Sequence, residues 1–363
     1  MLKKALLRRG FTLIELLIAL AIGTFVVGAL YALFTVQLKQ FVYQDLQMEM
    51  HQNIRLAMDI LTRSGRTAGL GTVGRVSGVL GYTSGAASDA VSLPAVISYD
   101  GTGPNGSDAI TIVSQDPNLI MFADPDELRL CNDATIMFDL ERPGNPDKVG
   151  ELAANEFLLC SDLSNPTQKR SFMWPLQADG DASSGQATVN DGTSNYADFL
   201  DACPVGENLP VAMQCSRAEV VTYYIDADDT DGFGSGSAEH PVLMMDLDFE
   251  SPDDDDVPVV DNVEDMQIEY CFAGADCSST DSAGWTSTVD SYANTDDSDD
   301  PDDLYMMRFT LVIRSSREDL NQSYSGAPLS IANNTAASTT DHYYRQVLSA
   351  EVTVRNMRVM TWL

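Results

Sequence analysis

Residues Phe11 to Val36 form a run of 26 residues that holds a single charge, Glu15. Few other features limit a fold so strongly. A helix needs about 20 apolar residues to cross a bilayer, so the run is long enough to span one. Lys3, Lys4, Arg8 and Arg9 precede it, and no positive charge follows until Lys39. That asymmetry places the amino end in the cytoplasm, with one crossing. A cleaved secretory signal is the simpler rival. Its apolar core is about 7–15 residues and ends at small residues. This run is longer, lacks such an exit, and carries an acid. A carboxylate in hydrocarbon costs on the order of a few kcal/mol, which makes Glu15 a functional candidate.

Helical spacing continues beyond Val36. Leu38, Phe41, Val42, Leu46, Met50, Ile54, Ala57, Met58 and Leu61 recur on one side, with Lys39, Asp45, Glu49, Arg55 and Asp59 between them. No proline interrupts residues 11–63. The pattern predicts one helix with a lipid-soluble half and an amphipathic half, about 80 Å long. Gly65, Gly69, Gly71 and Gly74 predict its end. Gly23 and Gly28 are points where it can loosen.

The basic leader ending at Gly10, followed by "FTLIELLIAL", resembles the amino terminus of type IV prepilins and of type II secretion pseudopilins. The resemblance implies cleavage between Gly10 and Phe11 by a prepilin peptidase, then N-methylation of Phe11. It also implies that Glu15 pairs with the terminal amine of a neighbouring subunit in a filament core. Physically, a buried carboxylate becomes tolerable once a cation is brought to it. Later segments resemble the PilW family of minor pilins: "GSDAITIV" (106–113), "VVTYYID" (220–226), "VVDNVEDMQIEYCF" (259–272), "LYMMRFTLVIRSSRED" (304–319) and "YYRQVLSAEVTVRNM" (343–357). The acidic inserts between them are unlike that family.

The rest of the chain can be read without the resemblance. Tyr305, Met307, Phe309, Leu311 and Ile313 alternate with Met306, Arg308, Thr310, Val312 and Arg314, the period of a strand with one buried face. Val221, Tyr223 and Ile225 alternate likewise, as do Leu348, Ala350, Val352 and Val354. The predicted class is α+β, a long N-terminal helix packed on a β-rich antiparallel head. The expected segments are a leader at 1–10, a membrane and filament-core helix half at 11–36, an amphipathic half at 37–64 and one head at 65–363. Residues 179–194 form the candidate mobile loop.

Among 363 residues, 54 acids face 21 Lys and Arg, a formal charge of −33. Such an excess repels polyphosphate, so nucleic acid is not an expected partner. The acids clump at 226–232, 253–256 and 296–303. In "DADDTDGFGSG", Asp226, Asp228 and Asp231 before Gly232 are similar to the start of a calcium loop. Thr230 stands where an acid belongs, the glycine comes one residue late, and Ser237 replaces the closing Glu. A solvated acidic hairpin is the simpler reading; no cofactor is required, and calcium is the one the sequence allows. Six cysteines, Cys131, Cys160, Cys203, Cys215, Cys271 and Cys277, lie on the oxidising side of the predicted crossing. Short loops favour Cys203–Cys215 and Cys271–Cys277, leaving Cys131–Cys160, among the 15 pairings that six cysteines allow.

"GTGPNG" at 101–106 fits a dinucleotide pattern, but a strand follows it instead of the required helix, so it reads as a hairpin turn. His51, His240 and His342 are scattered. No nucleophile or zinc motif occurs, so an enzyme is not expected. The sequence therefore predicts a minor pilin that primes assembly near a filament tip. Its expected partners are prepilin peptidase and other minor and major pilins. It would sit in the inner membrane before assembly, then in the periplasm or an extracellular pilus. The alternatives are a type II secretion pseudopilin and a pilus-borne adhesin or binding module with calcium-dependent acidic loops.

Overall fold

The structure is a computed structural model. It describes residues 12–72, 75–77, 95–126, 135–154, 156–164, 170–189, 212–226, 241–247, 256–278, 284–289, 303–318, 331–334 and 341–354. The chain divides into two compact units, Met1–His51 and Gln52–Leu363.

In the first unit the described residues are all helix after Thr12. They belong to α1 (Leu13–Thr67), a single helix of 55 residues. It passes through Gly23 and Gly28 without a break. Its large apolar side chains, from Leu13 at 78% exposure to Val42 at 55%, are bare. This helix is long and apolar enough to cross a membrane.

The second unit begins with the last turns of α1. Ile54, Ala57, Met58 and Leu61 are buried there, at the 3–4 residue spacing of one helix face. The Ser64 and Tyr223 hydroxyls hydrogen-bond at 2.7 Å. Gly65 lies so close to Met307 and Phe309 that a Cβ there would meet them at 3.0 and 3.2 Å. The helix runs two residues past Gly65 and stops at Thr67. Gly69, at φ +70°, then turns the chain, and its N–H bonds Val113 O at 3.0 Å.

Fourteen strands follow among the described residues. They are β1 (Arg75–Ser77), β2 (Val96–Tyr99), β3 (Ala109–Gln115), β4 (Met121–Phe122), β5 (Thr135–Met137), β6 (Phe157–Asp162), β7 (Arg170–Pro175), β8 (Gln186–Thr188), β9 (Met213–Asp226), β10 (Val242–Asp246), β11 (Val257–Asp261), β12 (Val263–Phe272), β13 (Leu304–Arg314) and β14 (Arg345–Thr353). A short helix, α2 (Asn145–Val149), precedes β6. The largest sheet centres on β9, whose 14 residues reach far enough to serve four neighbours. β6 and β10 pair along it, and so do β4 and β3. β12, β13 and β14 form a second sheet, and β5 with β8 a small ribbon. Pairing is antiparallel except between β1 and β7. The β-rich, mostly antiparallel head is as the sequence predicts.

Two expectations need correction. The alternation in β13 predicts one buried face, yet Arg308, Thr310 and Arg314 on the polar side are buried too. β13 is the middle strand of its sheet, and its polar side has a cover of its own. The Arg308 guanidinium lies 4.0 Å over the Trp285 ring and pairs with Glu269 on β12 at 3.2 Å and Glu351 on β14 at 3.1 Å. The edge strand β14 keeps the alternation at its end, with Val352 and Val354 buried and Glu351 and Thr353 exposed.

The second correction concerns cysteines. Cys160 bonds Cys215, so Cys203–Cys215 and Cys131–Cys160 are both overturned. The two residues stand directly opposite in the β6–β9 register, with Cα atoms 4.0 Å apart, inside a core that includes Met121, Phe172 and Trp174. Strand register brings them together across 55 residues, which loop length alone does not foresee. Cys271–Cys277 forms across its short turn. Cys131 and Cys203 lie outside the described residues.

Candidate functional site at the start of the helix

Glu15 sits in the first turn of α1, three residues after Thr12. The first N–H groups of a helix have no partner within it. Here Thr12 and Glu15 supply partners to each other. Glu15 N–H donates to Thr12 Oγ1 at 3.3 Å, and Thr12 N–H donates to Glu15 Oε2 at 2.9 Å. The Thr12 hydroxyl also reaches Oε2, at 3.0 Å. This is a capping box, Thr-x-x-Glu, with both bonds to the carboxylate falling on Oε2. Leu13, Ile14, Leu16, Leu17 and Ile18 surround it with exposed apolar surface. A carboxylate so placed has its position set by its own backbone. It remains able to accept a hydrogen bond from an ammonium group.

The sequence singled out Glu15 but not Thr12. The signal was there, since Ser or Thr three residues before Glu at the start of an apolar run is a recognised helix-start pattern. Gly10 and Phe11 lie outside the described residues, as does the 190–194 part of the mobile-loop candidate. The calcium candidates divide. Asp226 is the buried last residue of β9, opposite Val242, while Asp228 and Asp231 lie outside the described residues. Among the described residues no group of three His, Cys, Asp or Glu side chains could hold a metal.

"GTGPNG" is a turn, as its flanking strands predict. It joins β2 to β3, which pair antiparallel, and Asn105 and Gly106 take φ of 57° and 79°. Asp108, just after the turn, ties it to β12 of the second sheet, where a second buried acid, Asp265, lies nearby. Asp108 accepts the Gly101 and Ile268 N–H groups, each at 2.8 Å, and its own N–H reaches Met266 O at 2.8 Å. Asp265 accepts from Gln267 and Asn334, each at 2.9 Å. Both carboxyls are buried. Burial pushes Asp108 up to about 7, against its two backbone bonds and with the help of Asp100 and Asp265. Burial likewise pushes Asp265 up to about 6.

These shifts set a direction for stability. Folding raises both groups above their ordinary range near 4, so the folded form holds protons more tightly. The advantage is full at low pH and is lost as pH rises through about 6 and 7. The protein is therefore expected to lose about 2–4 kcal/mol between pH 5 and pH 8. Relief of general acid repulsion at low pH acts in the same direction, so the check is comparative. Thermal melts of Asp108→Asn should show a shallower pH slope than wild type. Equal slopes would remove Asp108 from the account.

Two family models match parts of the chain. Residues 7–31 match the prokaryotic N-terminal methylation motif. Residues 222–356, from the end of β9 through β14, match the family described as Type IV Pilus-assembly protein W. Among solved structures, the chain is similar to a type IV-like pilin from Thermus thermophilus at 9% identity, over 85% of this chain and 96% of that one. The TM-score is 0.35, too low to carry an argument. No curated protein sequence matches.

Proposed function

We propose that the chain is a membrane-anchored minor pilin of the PilW type that promotes filament assembly, a reading supported by the matches of residues 222–356 and 7–31. The family is one of structural pilins, and the role proposed is structural, not enzymatic. One observation carries the reading. A capped carboxylate, Glu15, sits one turn into an exposed apolar helix, just behind the Gly10–Phe11 junction. Prepilin peptidase would cut there on the cytoplasmic side, leaving a chain that begins at Phe11. The new amine of one subunit would then be the cation that Glu15 of its neighbour accepts. The second unit, Gln52–Leu363, holds many more residues than the helical first unit. Bulk of that size is hard to repeat along a thin fibre, so few copies at or near the tip fit it best.

The test is stoichiometry together with deletion. Sheared filaments should contain this chain far below the major subunit, and cells lacking it should carry fewer filaments. Unchanged filament number with lost secretion of exported proteins would favour the pseudopilin role instead. Unchanged filament number with lost surface attachment would favour the adhesin.

A further inference from the structure

The part of α1 within the second unit has one face on the sheets and one bare. Arg55, Asp59, Arg63 and Arg66 are exposed on that bare face, with Gln52 and Leu56 beside them. At 100° per residue the three arginines fall within roughly 80° of arc. Arg55 and Arg63 form no ion pair within the described residues. A net positive stripe is out of character in a chain of formal charge −33.

An opposite pole lies elsewhere in the same unit. Asp126, Glu141, Asp147, Glu151, Asp179 and Asp181 are exposed around α2 and the β5–β8 ribbon, against one exposed base there among the described residues, Arg142. The backbone knits these segments into one surface. Asp124 N–H bonds Met137 O at 2.9 Å, Gly180 N–H bonds Leu152 O at 2.9 Å, and Ala154 N–H bonds the Asp179 carboxylate at 2.9 Å. The stripe and the pole do not overlap. The helix meets β9 at Tyr223, whereas the pole adjoins it through β4, paired at Cys215. Those points are eight residues apart, roughly 27 Å along a strand.

We propose that the Arg55–Arg63–Arg66 stripe of one copy docks on the acidic pole around α2 of a second copy. Two molecules this acidic repel at most orientations, and the stripe is the face where approach is favoured. The partner is a second copy because the complementary surface is present on the chain itself. Stripe and pole are different patches, so the contact is head-to-tail and leaves one of each open. Copies can therefore add in a row. Each addition also adds negative charge, which keeps such rows short. The contact uses neither Glu15 nor filament entry, so it stands or falls apart from the function proposed above.

The test is sedimentation of the full chain in neutral detergent at low and high ionic strength. Wild type should self-associate at low salt and dissociate at high salt. Arg55→Glu with Arg63→Glu should weaken association by about tenfold or more. Arg317→Glu, also an exposed charge reversal but off the stripe, should leave it near wild type. Asp147→Lys with Glu151→Lys should be as defective as the arginine double variant, and mixing the two defective proteins should restore association. A wild type that is monomeric at low salt, an arginine variant that associates normally, or a mixture that does not recover would each overturn the contact.

Discussion

Glu15→Ala is expected to stay in the membrane and to be lost from filaments by about tenfold or more. The two effects separate because the carboxylate does two things. In the single chain it caps the helix, accepting from Thr12 N–H and Thr12 Oγ1. In a filament it would accept from a neighbour's terminal amine. Alanine removes both roles and also removes a charge that lipid disfavours, so insertion should be equal or better. Glu15→Gln divides them. An amide oxygen still accepts from Thr12, at a cap cost of well under about 1 kcal/mol, but it has no charge for an ammonium. Glu15→Gln should therefore insert normally and fail to assemble, while Thr12→Val should insert and assemble nearly as wild type. The readout is the ratio of chain in sheared filaments to chain in membranes. Normal entry of Glu15→Gln would make the carboxylate a cap and nothing more.

Arg345→Met is expected to cost the head about 3–5 kcal/mol. The Arg345 side chain is 2% exposed. Its guanidinium holds Glu264 at 2.5 and 2.7 Å, and holds Asp341 through Nη1 at 2.7 Å and again through Nη2. The arginine starts β14, and Glu264 lies on β12, so the fork reaches across the middle strand β13 and ties the sheet's outer strands together. Methionine would fill much of the space but leave two carboxylates, 13% and 23% exposed, with no cation between them. Removing one partner of a buried pair is costly because the other charge stays behind. Denaturant melts measure the loss, and adding Glu264→Gln should recover part of it. A loss below about 1 kcal/mol would mean that water reaches the carboxylates and this fork contributes no more than a surface pair.

How much of this was legible beforehand depends on the distance over which each feature is decided. α1 was readable because helical spacing, missing prolines and terminal glycines are all local, and its end came within a turn of the first glycine. Glu15 was readable because one acid in 26 apolar residues stands out without any contact being known. Thr12 was equally local, but it lay hidden as an ordinary polar residue next to the cleavage motif. The strands β9, β13 and β14 were readable from alternation, which reports the period of a strand and not the depth at which it lies.

What tertiary structure alone decided is what pairing decides. Whether the polar side of β13 faces water depends on Trp285, Glu269 and Glu351, which come from other parts of the chain. The raised acidity range of Asp108 comes from the sheets closing over it, since the same carboxyl in a free loop would titrate as any other. Cys160 found Cys215 because β6 and β9 align them, and a shift of one residue would have put the two sulfurs on opposite faces. Sequence by itself determined the helix, the candidate cleavage site and the lone carboxylate, since a few neighbouring residues suffice for each. Disulfide partner, buried ion pairs and the joint between the sheets waited on register, which is a relation between segments far apart in the chain.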